Sequence, residues 1–253
     1  MAIKATGFWL TNWRSQMSLP KIRHLPITDL ARISTLPEDM RWHALVQVKS
    51  GGIGPNYNPT RSEFPGIVNR QPGIFESVRD SWDAVESHIK KRCRSPEEEG
   101  MNLPVARQLY DYCAQHKVNA LELEGWPISF SVGPKLQAWS PALFVYPDRI
   151  TIPFVDPRKG KRLTREGIRF IFSIQFHAVR VNNPDYDEVH GEIIQFSKED
   201  GRSIRIIPED GMRLFSYEEL EFMISQTQRM WFDVLTDRQQ ETRRRAGGTG
   251  SLI

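Results

Sequence analysis

The chain has 253 residues, 39% of them hydrophobic and 26% charged, with a formal net charge of +3. That is enough chain for one large domain with its own core, and the mix excludes a collagen, a disulfide scaffold and a mostly disordered polymer. No run approaches the roughly 18 apolar residues of a membrane-spanning helix.

The first 40 residues are aromatic and broken by prolines: Phe8, Trp9 and Trp13, then Pro20, Pro26 and Pro37. One or two helical turns fit Thr28–Ser34, and the partial alternation of Trp42–Lys49 reads as a strand. Ser50–Gly73 holds five Gly and four Pro and reads as a long loop. Phe75, Val78, Trp82, Val85 and Ile89 follow helical spacing over about 18 residues. Arg94–Gly100 reads as a linker, after which Pro104 opens a second helix, as proline does at a first helical position.

Strands are expected over Pro127–Val132, and over Ala142–Tyr146 and Arg149–Val155 as a tight hairpin around Pro147-Asp148. Thr164 caps a long helix that runs to about Val181 and stops at Asn182-Asn-Pro-Asp185. Glu192–Ser197 and Ser203–Ile207 flank Glu199-Asp-Gly201 and form a second hairpin. Ser216 and Glu219 make a capping box. The final helix carries Leu220, Met223, Ile224, Thr227, Met230, Trp231, Val234 and Leu235 on one stripe.

The expected fold is therefore α+β: a small, mainly antiparallel sheet packed against two or three long helices. Residues 1–100 form an N-terminal segment with one strand, a Gly/Pro loop and a helix. Residues 101–237 form the core, and 238–253 a flexible tail.

Of the 34 basic residues ten are Lys, which leaves 24 Arg, the side chain suited to bidentate contacts with phosphate and carboxylate. The densest cluster is Arg158, Lys159, Lys161, Arg162, Arg165 and Arg169, facing Glu166 alone. It leads into a helix N-terminus, an end that favours anions. Along that helix Arg165, Arg169, Ser173, His177 and Arg180 share one polar stripe, either the exposed face of a core helix or a groove for a nucleic-acid backbone. The leading reading is a cytosolic, non-catalytic binding protein for DNA, RNA or another polyanion. Its anion-binding residues are Arg158, Lys159, Lys161, Arg162, Arg165, Arg169, His177 and Arg180.

Two alternatives stand beside it. From Pro104 the order helix, three strands, helix, strand resembles the core of PD-(D/E)xK nucleases, which hold Mg²⁺ on strand acids. That resemblance implies a metal-dependent phosphodiesterase using Asp148, Asp156 and Lys159, although Arg149–Val155 lacks the acid-x-Lys of the third strand. The other alternative is a protein-interaction subunit that docks through its aromatic N-terminal segment.

No complete catalytic motif and no cofactor fingerprint is present. Asp185, Asp187, Glu188 and His190 cluster, but at a spacing that matches neither an EF-hand nor a zinc motif, so no metal is expected. Lys49–Gly54 lacks the closing Gly-Lys-Ser/Thr of a phosphate loop. Only Cys93 and Cys113 are present, and the start lacks a signal peptide's apolar stretch. Reduced thiols and a cytoplasmic location are the expectation.

Overall fold

A computed structural model of the chain describes residues 24–48, 56–71, 79–123, 127–136, 142–160, 162–198 and 201–247. Its centre is a six-stranded mixed sheet whose spatial order follows the chain: β1 (Arg70–Gln71), β2 (Asn119–Glu122), β3 (Ala142–Val145), β4 (Ile150–Asp156), β5 (His190–Phe196) and β6 (Ile204–Pro208). The pairs β2–β3, β3–β4 and β5–β6 are antiparallel, while β1–β2 and β4–β5 are parallel. The α+β expectation holds, with more parallel character than expected.

Both faces are covered, so strand side chains alternate between two cores. Leu143, Ile152, Phe154 and Ile193 point into one core, with α1 (Ile27–Ile33), α2 (Glu38–Gln47), α7 (Arg165–Gln175) and α8 (Tyr217–Gly247). Ala142, Phe144, Val155, Ile194 and Phe196 point into the other, with α3 (Asn58–Ser62), α4 (Phe64–Ile67), α5 (Trp82–Arg92) and α6 (Pro96–Gln115). Period-two alternation lets one strand serve two cores.

The parallel β4–β5 pair needs a crossover, since parallel neighbours cannot be joined by a tight turn. The α7 helix supplies it. Thr164 caps it by accepting from the Gly167 N–H at 3.0 Å, and Phe176–Arg180 extends it as one π-helical turn. The helix packs onto β5 at Gly191, where a Cβ would lie 2.5 Å from Phe172 Cδ1 and 2.7 Å from Gln175 Oε1. Only glycine permits that approach.

Several local expectations are corrected. Trp42–Gln47 is helical rather than extended: Glu38 and Asp39 occupy the first turn of α2, where acids are favoured. Burial there falls on Arg41 and Leu45, four residues apart, which is helical spacing. Ser50–Gly73 is not one loop, because α3, α4 and β1 lie inside it. The α6 helix begins at Pro96, capped by Ser95 Oγ accepting from Glu98 N, and Pro104 lies in its interior. The rule that proline marks a first helical position applies, but to the earlier proline. Arg79–Ser81 is not helical; α5 starts at Trp82. Between Pro127 and Val132 there is only an Ile128–Leu136 bridge. The last helix runs past Asp237 to Gly247, over residues read as a loose tail.

The two hairpins are as expected. Tyr146 N–H donates to Arg149 O at 2.8 Å across the Pro147-Asp148 turn, and Gly201 adopts φ 89° before β6. The capping box of α8 is reciprocal: Ser216 N–H donates to Glu219 Oε2 at 2.8 Å and Glu219 N–H to Ser216 Oγ at 3.2 Å.

Trp231 is the largest side chain buried under 2% exposure, at 1%. Trp231→Ala is expected to cost about 3–5 kcal/mol; a denaturant melt within error of the parent would refute this packing role.

Residues 56–60 are tied to α6 by Glu98 and Asn102, which accept from the N–H groups of Asn56 and Thr60 at 3.1 and 3.0 Å. Arg94, through its guanidinium and its N–H, holds the Glu98 carboxyl down at about 2 against the usual 4.5. The fold therefore favours ionised Glu98, a contribution complete above the ordinary carboxylate value and lost as pH falls from about 4.5 towards 2. Glu98→Gln should melt below the parent at pH 7, with the gap closing by about pH 2. A pH-independent gap would show that shape, not charge, matters there.

Candidate functional site

The basic stripe does not line a groove. On α7, the Arg169 guanidinium lies 3.6 Å from the Phe215 ring centroid and pairs with Glu166 at 3.3 Å. Ser173 Oγ accepts from Phe215 N–H at 2.8 Å, and a ring nitrogen of His177 lies 3.1 Å from Phe215 O. Arg180 bonds Glu209 at 2.8 Å. Three of the stripe's polar side chains thus hold the Phe215 segment that leads into α8. Arg158 pairs with Asp29 on α1. Lys159, Arg162 and Arg165 are exposed, and Lys161 lies outside the described residues.

The nuclease candidates are far apart. Asp148 is exposed in the turn before β4, paired with Arg149 at 3.3 Å. Asp156 closes the far end of β4, 2% exposed and bonded to Arg32 at 2.5 Å. At about 3.3 Å per strand residue the two carboxyls lie on the order of 20 Å apart, too far to share an ion. Lys159 follows Asp156, beyond reach of Asp148. The Asp185, Asp187, Glu188 and His190 cluster spans a short 3₁₀ turn (Pro184–Tyr186) and the start of β5. Among the described residues no three His, Cys, Asp or Glu are grouped to hold a metal. Trp9 and Trp13, and the Lys49–Gly54 loop, lie outside the described residues.

A different site emerges at the opposite end of the parallel pair. A cleft of about 550 Å³ is walled by the Asp148–Thr151 turn and strand start, by Glu188 and His190–Glu192, and by Ile206 and Pro208–Asp210. At its inner wall lies Glu192, 3% exposed. Tyr146 Oη donates to Glu192 Oε1 at 2.6 Å, and Tyr112 Oη lies 3.1 Å from Tyr146 Oη. Arg149 stacks 3.9 Å over the Tyr146 ring and reaches Glu192 Oε2 only at 3.7 Å. Burial pushes the Glu192 carboxyl up, against the opposing pull of Tyr146 and Arg149. Burial and the neighbouring Glu192 push the Tyr146 phenol up as well. Cys113, nearby on α6, is raised by burial to about 12, so its thiol stays protonated and inert.

Sequence reading missed Glu192, Tyr146 and Thr151. The available signal was an acid directly before Ile193-Ile194 in a strand, since buried acids are costly unless partnered.

Helices on both faces of a mixed sheet define a three-layer α+β protein, in which Arg158, Arg169 and Arg180 turn to partners within the fold. Comparison with known proteins gives its family. The family described as "Sliding clamp-binding bacterial toxin SocB" matches residues 28–241. The DNA replication inhibitor toxin SocB of Caulobacter vibrioides (strain NA1000 / CB15N) is 32% identical over 232 residues, 91% of this chain and 97% of that protein. No solved structure matches. The chain belongs to the SocB family.

Family membership overturns the nucleic-acid and polyanion reading, since the family is described by a protein partner. The physical reason is that Arg158, Arg169 and Arg180 are engaged by Asp29, Phe215 and Glu209, all remote from them in sequence. The protein-interaction alternative is the better supported one.

The raised Glu192 carboxyl has a signed consequence. Its protonated form is favoured by folding, so its contribution is present below the ordinary carboxylate value and lost as pH rises through the raised one. Glu192→Gln should therefore gain on the parent in melting temperature between pH 4 and pH 8. A gap that shrinks as pH rises would mean that Arg149 more than compensates the burial.

Proposed function

We propose that this protein docks on the DNA sliding clamp and thereby inhibits replication, as a toxin that acts by occupancy and catalyses no reaction. The observation that carries the reading is the near end-to-end alignment with a replication inhibitor of that description, spanning 91% of this chain. Such a binder needs only to compete with the proteins that the clamp normally carries. The separation of Asp148 from Asp156 speaks against a nuclease. We place the protein in the cytoplasm, where replication runs. No helix among the described residues is long and apolar enough to cross a membrane.

We assign the aromatic N-terminal segment, with Phe8, Trp9 and Trp13, a part in the protein contact, because aromatic side chains dominate such interfaces. The test is calorimetry of the full chain against a purified bacterial sliding clamp, alongside pulse-labelling of DNA synthesis in cells expressing it. Saturable binding is expected, with incorporation arrested and then restored by surplus clamp. Absence of affinity at micromolar clamp, or arrest that surplus clamp does not relieve, would overturn the proposal. Alanine at Phe8, Trp9 and Trp13 together should weaken binding at least tenfold, with the melt measured alongside; full affinity would assign the contact to other residues instead.

A further inference from the structure

The cleft beside Glu192 has no role in any of the above, and its lining is chemically specific. Five carboxylates, Asp148, Glu188, Glu192, Glu209 and Asp210, meet one arginine, Arg149. Acids alone do not make a site, and three of these are already engaged: Glu209 accepts from Arg180 and from Gly191 N–H, Asp148 pairs with Arg149, and Glu192 accepts from Tyr146 through Oε1 and pairs with Arg149 through Oε2. A second observation comes from Thr151, a wall residue only 5% exposed whose Oγ1 is buried and has no hydrogen-bond partner. Thr151 lies on the same sheet face as Glu192, for Thr151 pairs with His190 and Pro153 with Glu192 across β4 and β5. A buried hydroxyl without a partner is costly, and native proteins fill such positions. Glu192 Oε2 is ion-paired with Arg149 at 3.7 Å, a contact longer than a hydrogen bond, which leaves the oxygen able to accept a further donor. Ile150, Ile206 and Pro208 supply an apolar wall beside these oxygens.

We propose that this cleft binds an alkylammonium or alkylguanidinium group. The cation is held by Glu192 Oε2 and Thr151 Oγ1, its methylene stem lies against Ile206 and Pro208, and the outer acids Glu188 and Asp210 draw it in. Two sources present this chemistry, a lysine or arginine side chain of a partner protein and a free polyamine. The cleft is independent of the clamp reading.

The experiment is calorimetric titration of the full chain with three probes: Nα-acetyl-arginine amide, spermidine, and Nα-acetyl-norleucine amide as the uncharged control. Binding of either cation, with none of the control, is expected. Thr151→Val and Glu192→Gln should each weaken it about tenfold, the scale of one hydrogen bond to a charged group. Asp210→Asn, at the rim, should weaken it less and reduce its salt dependence. The arginine probe alone points to a protein side chain, and spermidine alone to a polyamine. Thr151→Val removes one oxygen and nearly preserves shape, so it keeps the test valid should Glu192→Gln perturb the fold. Failure of both cations to bind, binding equal to the control, or cation binding unaffected by both Thr151→Val and Glu192→Gln overturns the proposal. Clamp affinity measured on the same variants should be unchanged, which separates failure here from failure of the clamp reading.

Discussion

The parallel pairing of β4 with β5 is the constraint from which the rest of the molecule follows. Adjacent strands running the same way force the chain to travel back along the sheet. The returning helix, α7, fixes where one whole core must be. Its approach to β5 depends on Gly191, because any Cβ there would occupy the space of Phe172 and Gln175. Gln175 in turn donates from Nε2 to Ile152 O at 2.8 Å, so the helix is tied to β4 as well as packed on β5. With α7 set, the outer helices have a surface to close against: α1 meets it and receives Arg158 through Asp29. The face of α7 turned towards α8 carries the polar stripe.

That stripe explains how arginines on a core helix can serve the fold itself. Arg169, Ser173 and His177 all engage Phe215, by ring stacking, by an accepted N–H and by a carbonyl contact. One turn on, Arg180 reaches Glu209, whose second oxygen accepts from Gly191 N–H at 2.6 Å. A chain of polar contacts thus runs from α7 through the segment after β6 to the glycine on which α7 rests. Arginine suits this work because its planar head stacks on a ring while its N–H groups still donate.

Elements whose signals are local were legible in the sequence. Both hairpins, the Thr164 cap and the Ser216–Glu219 box depend on neighbours within a few residues, and each stands where the residue types place it. Segments with two plausible periods were not. Trp42–Lys49 alternates like a strand, but the acids at Glu38 and Asp39 start a helix before it. Pro96 and Pro104 both fit a helix start; the serine cap decided between them. The sites were the least legible part. The acids that pair with Arg158 and Arg180 lie 129 and 29 residues away in the chain, and the cleft joins the start of β4 to the start of β5 across the whole crossover.

Glu192 is where stability and function pull apart. A carboxylate on a central strand, 3% exposed, costs free energy that an apolar residue would not. Its supports, the Tyr146 hydroxyl and the Arg149 ion pair at 3.7 Å, offset only part of that cost, and its carboxyl stays above the ordinary range. Folding alone would be served better by leucine or glutamine, and the neighbouring strand residues Ile193 and Ile194 show that this sheet accommodates aliphatic side chains at full burial. The position is also not isolated: Thr151, whose buried hydroxyl has no partner, belongs to the wall of the same cleft. An unpartnered hydroxyl and a carboxylate oxygen held only by a long ion pair, on one sheet face in the wall of one cleft, form a preorganised receptor for a donor. The energy withheld from folding is then released when a cation completes both sets of hydrogen bonds.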